Sequence, residues 1–371
     1  MLIGVPTEIK NNERRVGMTP EAVKEVVAHG HTVHVQAGAG LGIGALDADY
    51  QAAGAVTVPT ADDAYAAELV VKVKEPQADE RARLRTGQTL FTYLHLAPDP
   101  DQTSDLVASG VTAVAYETVT DAKGGLPLLA PMSQVAGRLA VQAGAHALES
   151  PAGGRGILLG GVPGVPPADV LIIGGGVAGS NAATIAFGMG AKVTVLDRNP
   201  AVLEHLDERF GSQVTTEYAT RSAIEKHLPR AELVIGAVLL KGARAPRLLY
   251  EADLDMMQTG SVLVDISIDQ GGCFETSHAT THADPTYVVA GVVHYCVANM
   301  PGAVARTSTY ALNNVTLPHV LALADHGPLQ ALRDDPHLRS GLNVHAGQIT
   351  EAAVAEALGY PYVDALTALA A

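Results

Sequence analysis

The glycine spacing in VLIIGGGVAGSNAA, Val170–Ala183, constrains this chain more than any other feature. Gly174, Gly176 and Gly179 fall in the order GxGxxG, after an apolar run that reads as a strand and at the start of a helical pattern. In that context the first glycine permits a tight turn, the second lets a pyrophosphate approach the backbone, and the third lets helix and strand pack closely. The helix then points free N–H groups and its positive end, at Val177 and Ala178, toward the phosphates. Asp197 ends the next strand, KVTVLD, close to the ~20-residue offset expected for a ribose-binding acid. A carboxylate there accepts from ribose hydroxyls and repels an added 2′-phosphate, so NAD is favoured. Arg198 beside it leaves room for some NADP use.

The chain is long enough for about two domains at roughly 150 residues each. Its 47% hydrophobic content supports a large core, and only 4% of residues are aromatic, so that core must be built from aliphatic side chains. A net charge of −15 disfavours nucleic acid and anionic membranes as partners. Cys273 and Cys296 form no CxxC pair, which argues against a disulfide framework or a cysteine zinc site. His278 and His282 have helical spacing but lie in a Thr-rich stretch with no third ligand, so no metal is expected. MLIGVPTEIK lacks the order of a signal peptide, and the most apolar stretch is broken by Pro163, Pro166, Pro167 and Asp169. The expectation is a soluble cytoplasmic protein.

Short apolar runs alternate with helical patterns, which predicts an α/β protein. Leu2–Val5, Thr32–Val35, Leu69–Val73, Leu90–Leu94 and Thr112–Tyr116 read as buried strands, and Thr19-Pro20-Glu21 as a helix start. A second series follows a helix at Ser133–Leu148, with strands at Val170–Ile173, Lys192–Leu196, Leu233–Ile235 and Val262–Val264. A helix is expected at Ser308–Ala324, and no internal repeat stands out. The predicted fold has two domains, each with a mostly parallel sheet, the second a Rossmann NAD-binding domain. Element order places the substrate domain at 1–130 and 306–371, and the NAD-binding domain at 131–305.

Titratable residues end two consecutive strands: Lys74 in LVVKVKEP and His95 after TLFTYL. Ligands of open α/β sheets collect at strand carboxyl ends, so the coincidence points to a shared site. An ammonium there can hold a carboxylate or polarise a carbonyl, and imidazole suits proton traffic near neutrality. Lys72 is the neighbour on the other phase. Arg14 and Arg15 are equivalent by composition, and Asp269 in SIDQGG is also a normal turn residue.

Eight blocks nevertheless resemble one family closely. They are NNERRV at Asn11–Val16, KVKEP at Lys72–Pro76, FTYLHLA at Phe91–Ala97, YETV at Tyr116–Val119, LPLLAPMSQVAGRLA at Leu126–Ala140, LLGGVPGV at Leu158–Val165, DISIDQGGC at Asp265–Cys273 and HYCVANMPGAV at His294–Val304. Together they resemble the alanine dehydrogenases, relatives of the N-terminal part of nicotinamide nucleotide transhydrogenase. Gln134, Lys241 and Ala305 depart from the usual pattern, and none is a presumed reacting group. The resemblance implies NAD-dependent, reversible oxidation of L-alanine to pyruvate and ammonium by a homohexamer. It selects Arg15 as the carboxylate clamp with Lys74, His95 as general acid/base, and Asp269 as the group that positions water beside the nicotinamide. It places Asn299 and Met300 along the nicotinamide and substrate, and Ser133 near a phosphate or the nicotinamide. Val238, Leu239, Ile266, Val297 and Ala298 complete the implied cofactor contacts. Two other readings stay open: an NAD-binding subunit of a transhydrogenase, and a non-catalytic NAD-binding module.

Overall fold

The computed structural model describes residues 1–238 and 245–370. Leu239 and Lys241 therefore lie outside the described residues. The chain divides into two compact units, Met1–Met132 with Val304–Ala371, and Ser133–Ala303.

The first unit opens with six strands: β1 (Leu2–Val5), β2 (Thr32–Gln36), β3 (Val56–Val58), β4 (Leu69–Val71), β5 (Thr89–Thr92) and β6 (Thr112–Ala115). The second unit holds β7 (Asp169–Ile173), β8 (Lys192–Asp197), β9 (Val214–Tyr218), β10 (Leu233–Gly236), β11 (Val262–Asp265), β12 (Thr286–Val289) and β13 (Val292–Tyr295). The chain then returns to the first sheet with β14 (Leu342–His345) and β15 (Gln348–Ile349).

The first sheet runs β15-β14-β6-β5-β4-β1-β2-β3, and the second β12-β13-β11-β10-β7-β8-β9. Each contains a parallel six-strand order of the type 3-2-1-4-5-6, with antiparallel strands added at one edge. The expectation of two mostly parallel α/β sheets is met. The sequence shows no repeat, yet both units have the same winding. Backbone topology can recur without side-chain similarity, because the right-handed crossover rule leaves few alternatives.

The strands form where short β-branched and Leu-rich runs can be buried on both faces; β4, β5, β6, β10 and β11 are buried along their whole length. The predicted helix start is real: the Thr19 side chain accepts from the Ala22 N–H, Pro20 is the first helical residue, and the helix covers Pro20–Ala28. Two strands end sooner than their apolar runs. β4 stops at Val71 and β5 at Thr92, so Lys72–Lys74 and Tyr93–His95 are loop residues beyond the carboxyl ends. The long helices cover Ala130–Ala147 and Ala305–His326.

Candidate active site

In each sheet the winding reverses between the first and fourth strands of the parallel order, β1 and β4 in one unit and β7 and β10 in the other. Loops beyond the carboxyl ends part there and leave a crevice for ligand.

In the first unit the predicted substrate residues lie in loops beyond strand carboxyl ends. Arg15 comes from the loop after β1, Lys74 from the loop after β4, and His95 from the loop after β5. Arg15 is only 2% exposed. Its Nε donates to Glu13 Oε1 at 2.7 Å and its Nη2 to Glu13 Oε2 at 2.5 Å, a bidentate pair. Burial opposes the guanidinium charge, but Glu13 more than compensates and the pKa rises. A cavity of about 310 Å³ lies beside the pair, lined by Thr7, Glu8, Glu13, Arg15, Gly38 and Gly42 among others.

Tyr93 connects the cluster. Its ring stacks on His95 with centroids 5.9 Å apart, its hydroxyl donates to the Leu128 carbonyl at 2.6 Å, and the Arg15 charge acts on it. His95 itself is bent into the left-handed region (φ 51°), a costly conformation for a non-glycine residue that clusters at functional sites. Glu117 holds that bend, accepting the His95 N–H at 2.6 Å. The Lys74 carbonyl accepts from Thr92 Oγ1 at 3.0 Å, which ties its loop to β5, and its ammonium lies 4.0 Å from Glu75. The neighbouring Lys72 points elsewhere: wholly buried, it bonds Glu8 at 3.0 Å and Glu80 at 2.6 Å. Glu8, Glu13, Tyr93 and Glu117 are members of the site that sequence reading passed over. Glu13 and Tyr93 stood two residues from Arg15 and His95, Glu117 lay in the block YETV, and Glu8 carried no signal.

In the second unit the glycine turn behaves as its spacing predicts. A Cβ on Gly174 would sit 2.6 Å from the Ala237 carbonyl, and one on Gly179 only 1.7 Å from the Gly174 carbonyl. One on Gly176 would meet nothing within 4 Å, so open space lies over the turn. The helix Val177–Gly188 begins there with no side-chain cap, leaving its first N–H groups to a ligand. These features fit a dinucleotide pyrophosphate. Asp197 Oδ2 accepts the Gly175 N–H at 2.6 Å, so the β8 carboxylate also braces the turn, while Arg198 is exposed. Ser133 lies one helical turn before Gly137, where a Cβ would meet the Ala178 carbonyl at 2.0 Å; it therefore shares the face turned to the same helix start.

Beyond β11 the chain makes a tight turn, Ile266–Gln270. Ser267 Oγ donates to the Val238 carbonyl at 2.7 Å, and the Val238 side chain lies 3.0 Å from the Gly174 Cβ position. Exposed Asp269 accepts the Asn299 N–H at 3.4 Å, which brings Ile266–Asp269 against the Val297–Met300 turn. Asn299 is left-handed (φ 60°), and its carbonyl lies 3.1 Å from His282 Nε2. His278 stacks on Tyr287, so the two histidines have separate partners.

A family model described as the N-terminal domain of alanine dehydrogenase/PNT matches residues 4–136, and the corresponding C-terminal domain matches residues 140–352. This chain belongs to the alanine dehydrogenase/PNT family. Its sequence is 61% identical to the alanine dehydrogenase of Halomonas elongata, over 98% of this chain and 99% of that one. A solved L-alanine dehydrogenase matches with a TM-score of 0.94 and 52% identity, covering 97% of this chain and 99% of its own. The transhydrogenase from Sinorhizobium meliloti matches at 0.82 and 26% identity, over 94% and 100%. The resemblance carried by the eight sequence blocks holds over the whole alanine dehydrogenase/PNT chain, which is thereby an oxidoreductase.

Proposed function

We propose that this chain oxidises L-alanine reversibly with NAD, yielding pyruvate, ammonium and NADH. What supports the reading is that Arg15, Lys74 and His95 lie in the loops beyond the carboxyl ends of β1, β4 and β5, the first two strands flanking the switch point, in a chain that also holds a complete dinucleotide turn. The unit Met1–Met132 with Val304–Ala371 is the substrate domain, and Ser133–Ala303 the nucleotide domain.

Arg15 and Lys74 hold the alanine carboxylate and fix the direction of the α-hydrogen; such orientation supplies much of the rate. Glu13 keeps the Arg15 plane in place beside the cavity. A bound nicotinamide supplies the hydride acceptor. His95 takes the proton lost from the amino group and serves the water that later adds to the imine. Asp269 orients that water, and ammonium departs as the carbonyl of pyruvate forms. Gly174–Gly179, Ser133 and the helix start at Val177 and Ala178 bind phosphate, and Asp197 takes the ribose. Val238, Ile266 and Val297–Met300 line the nicotinamide end. The homohexamer and the cytoplasmic location implied by the family belong to the same reading.

The decisive experiment is NADH absorbance with purified protein, NAD and a panel of amino acids that includes L-alanine, repeated with NADP. Loss of the signal in Lys74→Ala and His95→Ala supports the reading; no signal in the unmodified protein ends it. The match to a solved transhydrogenase favours a second reading, as a subunit that hands hydride to NADP on a partner. Among the described residues no helix is long and apolar enough to cross a membrane. Co-purification with a membrane partner, without amino-acid turnover, would select that second reading.

A further inference from the structure

The carboxylate of Asp265 is wholly buried at the end of β11, and among the described residues no cation pairs with it. It is satisfied instead by donors from both ends of one loop. Oδ1 accepts the Ser267 N–H at 2.9 Å and the Cys273 thiol at 3.3 Å. Oδ2 accepts the Cys273 N–H at 2.8 Å and the Ser277 hydroxyl at 2.6 Å. The chain leaves this carboxylate at Ile266 and returns to it at Cys273.

The return depends on two consecutive left-handed glycines, Gly271 (φ 89°) and Gly272 (φ 75°). A Cβ on Gly272 would lie 2.9 Å from Asp265 Oδ2, so a side chain there would lift the loop off the carboxylate. Within the loop, the Gly271 N–H bonds the Ile268 carbonyl and the Gly272 N–H bonds the Ser267 carbonyl. Asp269 is the exposed residue at the crown of this closed turn, against the Asn299 N–H. Buried carboxylates make stronger hydrogen bonds than neutral acceptors, and withdrawing one leaves buried N–H donors unmet.

We propose that Asp265 is a positioning residue for Asp269: by holding both ends of the 266–272 loop on one carboxylate, it fixes where Asp269 presents its oxygens. The inference rests on the reading of Asp269 as a group that acts in the alanine reaction. Asp265→Asn is nearly isosteric, but it turns an amide donor toward donors that need an acceptor. The loop then loses its anchor at Ser267 or at Cys273, while the glycine turn keeps its contacts with β8 and its own helix.

The test is a double-mutant cycle in the full chain with Asp265→Asn and Asp269→Asn, read as kcat, KM for alanine and Kd for NAD. Asp265→Asn should lower kcat on the order of 10- to 100-fold, the scale of a catalytic group displaced by about 1 Å. Its Kd for NAD should rise by a much smaller factor than kcat falls, because the pyrophosphate turn itself is intact. In the Asp269→Asn background the same change should add almost nothing, because residues that act as one unit are not additive. Multiplying effects, or a lost NAD affinity with kcat intact, would overturn the assignment. If Asp269→Asn alone is fully active, the reading of Asp269 falls and the inference with it. If Asp269→Asn is inactive and Asp265→Asn unimpaired, only the inference falls. Ser277→Ala removes one bond to Oδ2 and leaves the carboxylate, so it runs the same cycle should Asp265→Asn not fold. A severalfold kcat loss confined to the Asp269 background is then expected, and no loss overturns it.

Discussion

Both carboxylate oxygens of Glu13 are bound by the guanidinium of Arg15, through Nε at 2.7 Å and Nη2 at 2.5 Å. The arginine read as the substrate clamp is thus already held in a plane by a partner two residues away. Its Nη1 lies 3.1 Å from Met132 Sδ, so the guanidinium plane is fixed from a second side, and binding costs little further side-chain freedom.

Arg15→Lys keeps the charge and discards the fork. Steady-state kinetics should show KM for alanine raised at least about tenfold, a loss typical of a charge-assisted bond. Unchanged KM would remove Arg15 from the site. Glu13→Gln leaves a buried guanidinium without its counter-ion, and a stability loss of about 3–5 kcal/mol is expected in urea unfolding.

Lys72 supplies a contrast to Lys74. Its ammonium sits between Glu8 and Glu80, and Tyr65 donates to Glu80 at 3.1 Å. Burial works against its charge, but the two carboxylates outweigh this and raise its pKa. Lys72→Met should therefore destabilise the fold by about 3–5 kcal/mol, because two buried carboxylates lose their cation. Lys74→Met should leave the melting temperature nearly unchanged and abolish turnover. The reverse pattern would exchange the roles given to the two lysines.

The glycine turn separates folding from binding. Gly179→Ala places a Cβ 1.7 Å from the Gly174 carbonyl and should lower the melting temperature measurably. Gly176→Ala meets no atom within 4 Å, so calorimetry should find the free protein unchanged while NAD affinity falls at least about tenfold. Intact NAD affinity in Gly176→Ala would remove the phosphates from this turn.

His294 is wholly buried, with Nε2 2.7 Å from Thr276 Oγ1 and Nδ1 3.0 Å from the Val292 carbonyl. Burial holds its pKa below the ordinary 6.5. As pH falls below 6.5 the unfolded chain therefore takes up this proton before the folded one does. The stability it contributes is present above 6.5 and is lost as pH falls through the lower folded pKa. His319 and His345 are depressed by burial in the same direction. Melting temperature should drop between pH 7 and 5. His294→Gln should flatten that drop by at most one proton, about 1.4 kcal/mol per pH unit. An unaltered slope in His294→Gln would show that this histidine is not the titrating group.

Much of the fold was legible because short local signals decide it. GxGxxG after β7, Asp197 at the end of β8, and the Thr19-Pro20 cap each act within one turn of backbone, and the structure forms all three. The strands left unread, β3, β9, β12, β13, β14 and β15, gave weaker cues. β9 and β12 are partly exposed and mix polar with apolar residues, and β15 has only two residues. An edge strand is specified by the neighbour it pairs with, which local periodicity does not contain.

By itself the sequence determined the α/β class, the dinucleotide turn and, through blocks spread along the chain, the family. Only the tertiary structure decided which lysine is spent on buried carboxylates. Lys72 and Lys74 are two residues apart in one apolar run, and β4 ends at Val71, before either. What separates them is Glu8 and Glu80, from other elements, whose carboxylates both bond the Lys72 ammonium, while Lys74 has, among the described residues, only Glu75 at 4.0 Å. In the same way SIDQGG reads as an ordinary turn until Asp265 is seen holding both of its ends. Local signals set backbone conformation over a few residues. Burial and charge pairing depend on elements that meet only when the chain has folded.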